Sequence, residues 1–235
     1  VKAAARLVAG AGDRLSVMES SPPLVLRSTP TGVFVVGGAY TPLGGDDLSL
    51  SIVVETGASL VVRSAAASVA LPGPDGAPSR LRVTASVAAG GSLVWHPEPG
   101  VAAAGCDHHN EAVLMLEQGA SIVWRDEVVL GRHGEDGGRW TSSITADVDG
   151  RPLVRHRVEM GPGTDWASPA VGGGARCHGS VLVVNDRSWQ ADGRPATVYL
   201  PRTAVMRLDD TATLVVTVAD DALSLAAALE ADKMT

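Results

Sequence analysis

Short apolar runs broken by glycine turns recur along this chain, and their spacing is its strongest signal. The clearest copy is Ser51-Ile-Val-Val-Glu-Thr-Gly57-Ala-Ser-Leu60-Val-Val62. Similar units follow as Ala88-Ala-Gly90-Gly-Ser-Leu93-Val-Trp95, Leu116-Glu-Gln-Gly119-Ala-Ser-Ile122-Val-Trp124 and, more weakly, Asp149-Gly150-Arg-Pro-Leu153-Val154. In each, a glycine stands three residues before the first apolar residue of the outgoing strand, and successive glycines are 33, 29 and 31 residues apart. Glycine supplies the positive φ of a tight strand-to-strand turn at little steric cost. Self-similarity near thirty residues marks stacked units that cannot bury their apolar faces alone. The pattern predicts an all-β protein, a wound superhelical, β-solenoid-like stack of mostly antiparallel strand pairs. A β-sandwich with similar turns is the competing arrangement.

The remaining apolar runs fit this picture. Strands are predicted at 24–26, 33–36, 144–148, 153–160, 181–184, 197–200 and 213–218. Gly37-Gly38 and Pro42-Leu-Gly44-Gly45 frame Tyr40 in a flexible loop that delivers Asp46. Helix is expected only near the C-terminus, as one or two short segments. Asp221 caps residues up to Ala231, with Leu223, Leu225 and Leu229 set among alanines as core packing. Three segments read as loops: 71–79, 99–110 and 161–174, the last being the best candidate for mobility. A single domain over 1–235 accounts for the whole pattern.

Composition narrows the function. A net charge of −7 without a basic run argues against nucleic acid or anionic membrane as partner. Aromatic residues are only 3 %, too few for base- or sugar-stacking platforms. No apolar run approaches the roughly eighteen residues of a membrane span, and charge interrupts the N-terminal stretch too early for a signal peptide. The two cysteines, Cys106 and Cys177, make no multi-disulfide framework, and free thiols in a cytoplasmic protein are expected.

No nucleophile elbow, phosphate loop or His-Glu-x-x-His zinc helix is present. Cys106-Asp107-His108-His109 offers thiolate and imidazole donors for a borderline metal. It has no second donor pair at a fixed offset, and a solvated loop is the plainer reading; Cys177-His178 is a second half only if the fold brings it there. The carboxylates beside the turns are more informative. Asp46 and Asp47 follow a double glycine, and Asp126 and Glu127 lie within the apolar run Ile122–Leu130, so alternation turns one of the latter pair inward. A buried carboxylate is costly unless it is paired or meets a cation. Arg125, Arg132 and His156 are available for a structural ion pair; a passage for a divalent cation is the alternative. Clustered acids also admit a carbohydrate-active β-stack enzyme, and the repeat alone admits a structural module of the cell envelope.

Three blocks give the chain a family resemblance. Gly44-Gly45-Asp46-Asp47-Leu48 with Gly57-Ala58-Ser59-Leu60, Leu93-Val-Trp95-His-Pro97-Glu98, and Asp126-Glu-Val-Val-Leu-Gly131-Arg132 with Gly134-Glu135 occur in one order. With Gly150-x-Pro152-Leu153 they resemble the UreD (UreH) urease accessory proteins over roughly residues 22–160. The family's lysine-bearing segment appears here as Arg63-Ser-Ala-Ala-Ala-Ser68-Val69, and its aromatic stretch is replaced by residues 100–110. The resemblance implies a non-enzymatic maturation factor. Such a protein joins UreF and, through it, UreG, docks on the urease apoenzyme, and passes nickel in transit, none of it tightly held. It allows a dimer formed through UreF. By motif position the passage residues fall on Asp46, Ser68, Asp126 and His156; His156 departs from an acidic residue in the family. Asp47, Glu98, Glu127, Arg132 and Glu135 are further candidates, and Cys106, His108 and His109 weaker ones. Oxygen and imidazole donors suit a conduit because they replace lost hydration yet release the ion.

Overall fold

The computed structural model describes residues 1–38, 41–186, 197–200 and 202–231; the expected loop residue Tyr40 lies outside them. Eighteen strands are formed among the described residues. They are β1 (Lys2–Gly10), β2 (Arg14–Ser20), β3 (Leu24–Thr29), β4 (Gly32–Gly37), β5 (Asp47–Val54), β6 (Ser59–Ser64), β7 (Ser68–Ala70), β8 (Ser79–Val87) and β9 (Ser92–His96). There follow β10 (Gly100–Ala102), β11 (Asp107–Leu116), β12 (Ser121–Leu130), β13 (Arg139–Val148), β14 (Arg151–Met160), β15 (Cys177–Val184), β16 (Thr197–Leu200), β17 (Thr203–Arg207) and β18 (Ala212–Ala219). One helix, α1 (Ala222–Ala231), closes the described chain.

The turn glycines do what the spacing predicts: Gly57, Gly90, Gly119 and Gly150 all have φ between 70° and 84°. The first three carry the chain from one sheet to another, β5 to β6, β8 to β9 and β11 to β12, so the chain winds as a flattened coil. One sheet has seven strands in the order β14-β13-β11-β8-β5-β1-β2; the other has eleven and contains β15-β12-β9-β6-β4-β3. The fourth turn, Asp149-Gly150, instead makes a hairpin within one sheet, pairing β13 with β14. Both of its residues have positive φ, as a two-residue hairpin turn with matching twist requires.

The all-β class and the wound stack are as expected, but the pairing differs. The two strands of one unit do not pair with each other, because their apolar faces must meet across the core and so lie in opposite sheets. Each pairs instead with its equivalent in the next turn, which makes the ladders β1–β5–β8–β11–β13 and β4–β6–β9–β12 parallel. Antiparallel pairs finish the ends: β2 on β1, β14 on β13, β3 on β4, and β15 on β12.

The register matches the repeat residue for residue. Ser59, Ser92 and Ser121 align, as do Leu60, Leu93 and Ile122, and Val62, Trp95 and Trp124. Trp95 and Trp124 stack with ring centres 4.9 Å apart. Between the sheets these side chains meet Leu50, Ile52, Val83, Val87, Leu114 and Leu116 in one core. Burying each large aliphatic side chain contributes about 1.5–3 kcal/mol.

Helix α1 starts where expected. The Asp221 carboxylate accepts both the Ser224 N–H and its hydroxyl, each at 2.8 Å. Leu225 and Leu229, one turn apart, are fully buried on the outer face of β15 and β18. Leu223, predicted to pack with them, is 84 % exposed instead. Among the described residues no helix is long and apolar enough to cross a membrane.

One predicted loop needs correction. Segment 99–110 is mostly strand: β10 and β11 leave only Pro99 and 103–106 outside strands, because Asp107–Leu116 alternates around an inward face that polar residues occupy at its start. Segment 161–174 is a loop with a single short 3-10 turn, in which Trp166 is 5 % exposed and donates its indole N–H to the Ala175 carbonyl at 2.7 Å. Segment 71–79 is a loop as far as Pro78, and Ser79 opens β8.

Candidate interior polar site

Alternation along β11, β12, β13 and β15 sends a set of polar side chains into the gap between the sheets. On β11 and β13 the paired residues His108 and Trp140, then Asn110 and Ser142, face inward. On β12 and β15, Asp126 lies opposite Ser180, and Val128 opposite His178. Asp46 enters from the turn just before β5.

Asp46 is 5 % exposed. Its carboxylate accepts the Leu43 N–H at 2.8 Å and the Thr41 hydroxyl at 2.9 Å, with Val1 N at 2.7 Å. Burial raises its pKa, but these donors outweigh burial and hold the carboxyl below its ordinary range. Its negative charge reaches the imidazole of His108. His108 is 1 % exposed, shares a 2.8 Å hydrogen bond between Nδ1 and the Ser79 hydroxyl, and lies 4.4 Å from the Trp140 ring. Burial drives this imidazole down to about 3, against the pull of Asp46. Trp140 in turn donates its indole N–H to the Ser142 hydroxyl at 2.9 Å. Ser142 and the Asn110 amide, the latter at 2.8 Å, both hydrogen-bond to the Asp126 carboxylate. Burial pushes the Asp126 carboxyl up, and these bonds only partly offset it. The result is a row in contact from His108 through Trp140 and Ser142 to Asp126, with Asp46 coupled to His108 through its charge, in an otherwise apolar interior.

A second polar group lies on the same inward faces. His156 stands opposite Ile144 on β14, and its ring centre is 6.0 Å from that of His178, with the planes 18° apart. His156 Nε2, both nitrogens of His178 and the Ser180 hydroxyl are buried without a hydrogen-bond partner. Burial lowers the pKa of both imidazoles, that of His178 to about 3.

Other candidates fall elsewhere. Glu127 points to the opposite face of β12 and pairs with Arg125 in a buried ion pair on the helix side. Asp126 and Glu127 therefore do not flank one substrate as an acid–base pair. Asp47 and Glu98 are exposed. Arg132 and Glu135 clamp each other at the surface, with contacts of 2.7 and 2.8 Å, and Arg132 holds the Glu135 carboxyl down to about 2. Ser68 is exposed on β7, opposite Gly100.

The Cys106 cluster does not converge, because successive strand residues diverge. His108 points inward while His109 points outward to Asp107 at 3.3 Å. Cys106 and Cys177 are both free and buried, and burial pushes each thiol up to about 11. Among the described residues no three His, Cys, Asp or Glu side chains come together to hold a metal. Asn110, Trp140, Ser142 and Ser180 are missing from the sequence-based candidates. Their signal is polarity at alternate positions of strands whose other inward residues are apolar.

Fold and site together define a class: a wound two-sheet β protein with a charged and polar row carried through an apolar core. The chain belongs to the family described as UreD urease accessory protein, whose profile matches residues 2–231. It is 39 % identical over 226 residues to the urease accessory protein UreD of Streptomyces avermitilis, covering 93 % of this chain and 89 % of that one. The corresponding protein of Streptomyces coelicolor is 38 % identical over 236 residues, with 96 % and 92 % covered. UreD 3 of Streptomyces griseus is 39 % identical over 244 residues, with 98 % and 95 % covered. Membership assigns the chain an accessory role in urease maturation.

Proposed function

We propose that this protein is the nickel-passing scaffold of a urease maturation complex, binding UreF, and UreG through it, and docking on the urease apoenzyme. Nickel is cargo here. The observation that supports this reading is the row from Asp46 to Asp126. A core made only for stability has no use for a desolvated carboxylate served by neutral hydrogen bonds and no arginine. A carboxylate left without a counter-charge, flanked by amide, hydroxyl and imidazole groups, suits a divalent ion that must be stripped of water and then let go. Asp126 is the residue that fits this description, since its donors are the neutral Asn110 and Ser142 side chains, whereas Asp46 pairs with the Val1 ammonium at 2.7 Å. The family resemblance supports the same two residues by motif position, and His156 faces the same interior.

The test is co-expression of Asp46→Ala and Asp126→Ala variants with UreF, UreG and urease. Both variants are expected to keep cooperative melting and to co-purify with UreF while activating urease at least tenfold less. Full activation by the double variant refutes the conduit; no complex with UreF refutes the scaffold.

A further inference from the structure

We propose that His156 and His178, projecting from opposite sheets, form a two-imidazole site for a divalent cation, reached from the molecular surface past Trp166. This site deepens the conduit reading and rests on it for its biological role, though not for its chemistry.

Three observations carry it. First, three of the four ring nitrogens are buried without a hydrogen-bond partner, and His178 is only 2 % exposed. An orphaned buried polar atom costs about 1–3 kcal/mol, and native interiors contain few; here three meet in one place. Second, the rings are within reach of one ion. Two imidazoles that share an ion through bonds of about 2.0–2.1 Å hold their ring centres at most about 6.5 Å apart, and the observed separation of 6.0 Å falls inside that limit, at the wide end that a near-linear pair of ligands occupies. Third, a surface cavity lies close by, with one side chain between. The Trp166 ring meets His178 edge-on at 6.1 Å, and Trp166 also lines a surface cavity of about 590 Å³ walled by Leu130, Glu135, Gly161 and Arg176.

The chemistry fits cargo in transit. Imidazole suits nickel, cobalt, copper and zinc, and the buried ring nitrogens have no competing hydrogen-bond donor or acceptor. The unpartnered Ser180 hydroxyl is two residues along the same face from His178, and Asp126 lies directly across from Ser180. Thiolates would retain the ion, but Cys177 faces the helix side of β15, away from the interior polar group. Two nitrogens and an oxygen bind weakly enough for release.

The experiment uses the purified full chain without urease, titrated with Co2+ for its visible absorption and with Ni2+ for quenching of tryptophan fluorescence. One equivalent of Co2+ is expected to develop nitrogen-ligated bands. His156→Gln and His178→Gln are each expected to weaken binding at least tenfold while melting cooperatively. Trp166→Phe is expected to keep the stoichiometry but lose most of the Ni2+ quenching. His156 sits on an edge strand and is only half-buried, so its variant decides the matter if His178→Gln fails to fold. Unchanged Co2+ bands in the histidine variants overturn the site, as does loss of the bands in His108→Gln in their place. The readout needs no urease activation. Co2+ binding with full activation by Asp126→Ala therefore keeps this site and removes the conduit, whereas the reverse pattern removes this site alone.

Discussion

Corresponding positions in the early and late turns of the coil carry opposite chemistry. Along one inward ladder of the seven-stranded sheet the residues are Leu48, Leu81, Asn110 and Ser142; along the next they are Leu50, Val83, Ala112, Ile144 and His156. Backbone pairing and spacing are shared, so the fold does not require the switch from aliphatic to polar. The early turns show what the architecture needs for stability, namely dry aliphatic ladders. The late turns show what has been added at stability's expense: a desolvated carboxylate and unpartnered imidazoles. Such a departure from local consistency is expected where function is served.

The comparison can be broken most forcefully in the dry half. Leu93→Ala removes a fully buried side chain from the Leu60–Leu93–Ile122 ladder and is expected to cost about 2–5 kcal/mol in urea unfolding. Urease activation should fall only as far as folded protein is lost. A cost below about 1 kcal/mol would remove the early ladders as the source of stability.

Acid separates the halves next. His108 and His178 have folded pKa values near 3 against an ordinary value of 6.5, so below pH 6.5 the unfolded chain takes up protons that the folded chain refuses. Their contribution to stability is present above pH 6.5 and is lost as pH falls towards 3, at up to about 1.4 kcal/mol per pH unit for each. Equilibrium unfolding at pH 7, 6 and 5 should show this slope, and His178→Gln should lower it by about one proton. An unchanged slope in that variant contradicts the burial described for His178.

Asp126→Asn sharpens the contrast by separating stability from activation. Burial raises this carboxyl's folded pKa, so its ionised form is penalised as pH rises through that value. The amide removes the penalty. The variant should match or exceed the wild type by about 1 kcal/mol at pH 7, with the difference shrinking in acid, while urease activation drops at least tenfold. A destabilised variant would mark Asp126 as part of the scaffold. The smallest effect is expected at exposed Ser68, where Ser68→Ala should leave melting and activation within twofold of wild type; a large loss of activation would extend the route to the β7 edge.

Much of the fold was legible because the repeat couples turn, register and burial. A glycine three residues ahead of Leu60, Leu93 and Ile122 sets the turn, and the turn sets which residues align. Pairing direction was not legible, since an apolar strand, a glycine and another apolar strand describe a hairpin and an arch equally well. Of the four repeat turns, Asp149-Gly150 alone makes the hairpin. The inward acids Asp46 and Asp126 were legible from alternation and motif position. Their partners Asn110, Ser142 and Ser180 were not, because ordinary polar residues in a strand announce nothing until the facing strand is known. His178 was noticed beside Cys177, yet adjacent strand positions face opposite ways. Its counterpart is His156 on the other sheet, a relation that exists only in three dimensions.

The coil's order of construction has a consequence for biogenesis. Parallel ladders let each turn lay itself on the one before, so a chain emerging from the ribosome can consolidate its aliphatic turns early. The interior polar group, by contrast, draws on β11 to β15, and Asp126 meets Ser180 only after β15 returns antiparallel against β12. The aliphatic turns can therefore pack before the polar group is assembled, and that group is complete only once the later strands have closed over it.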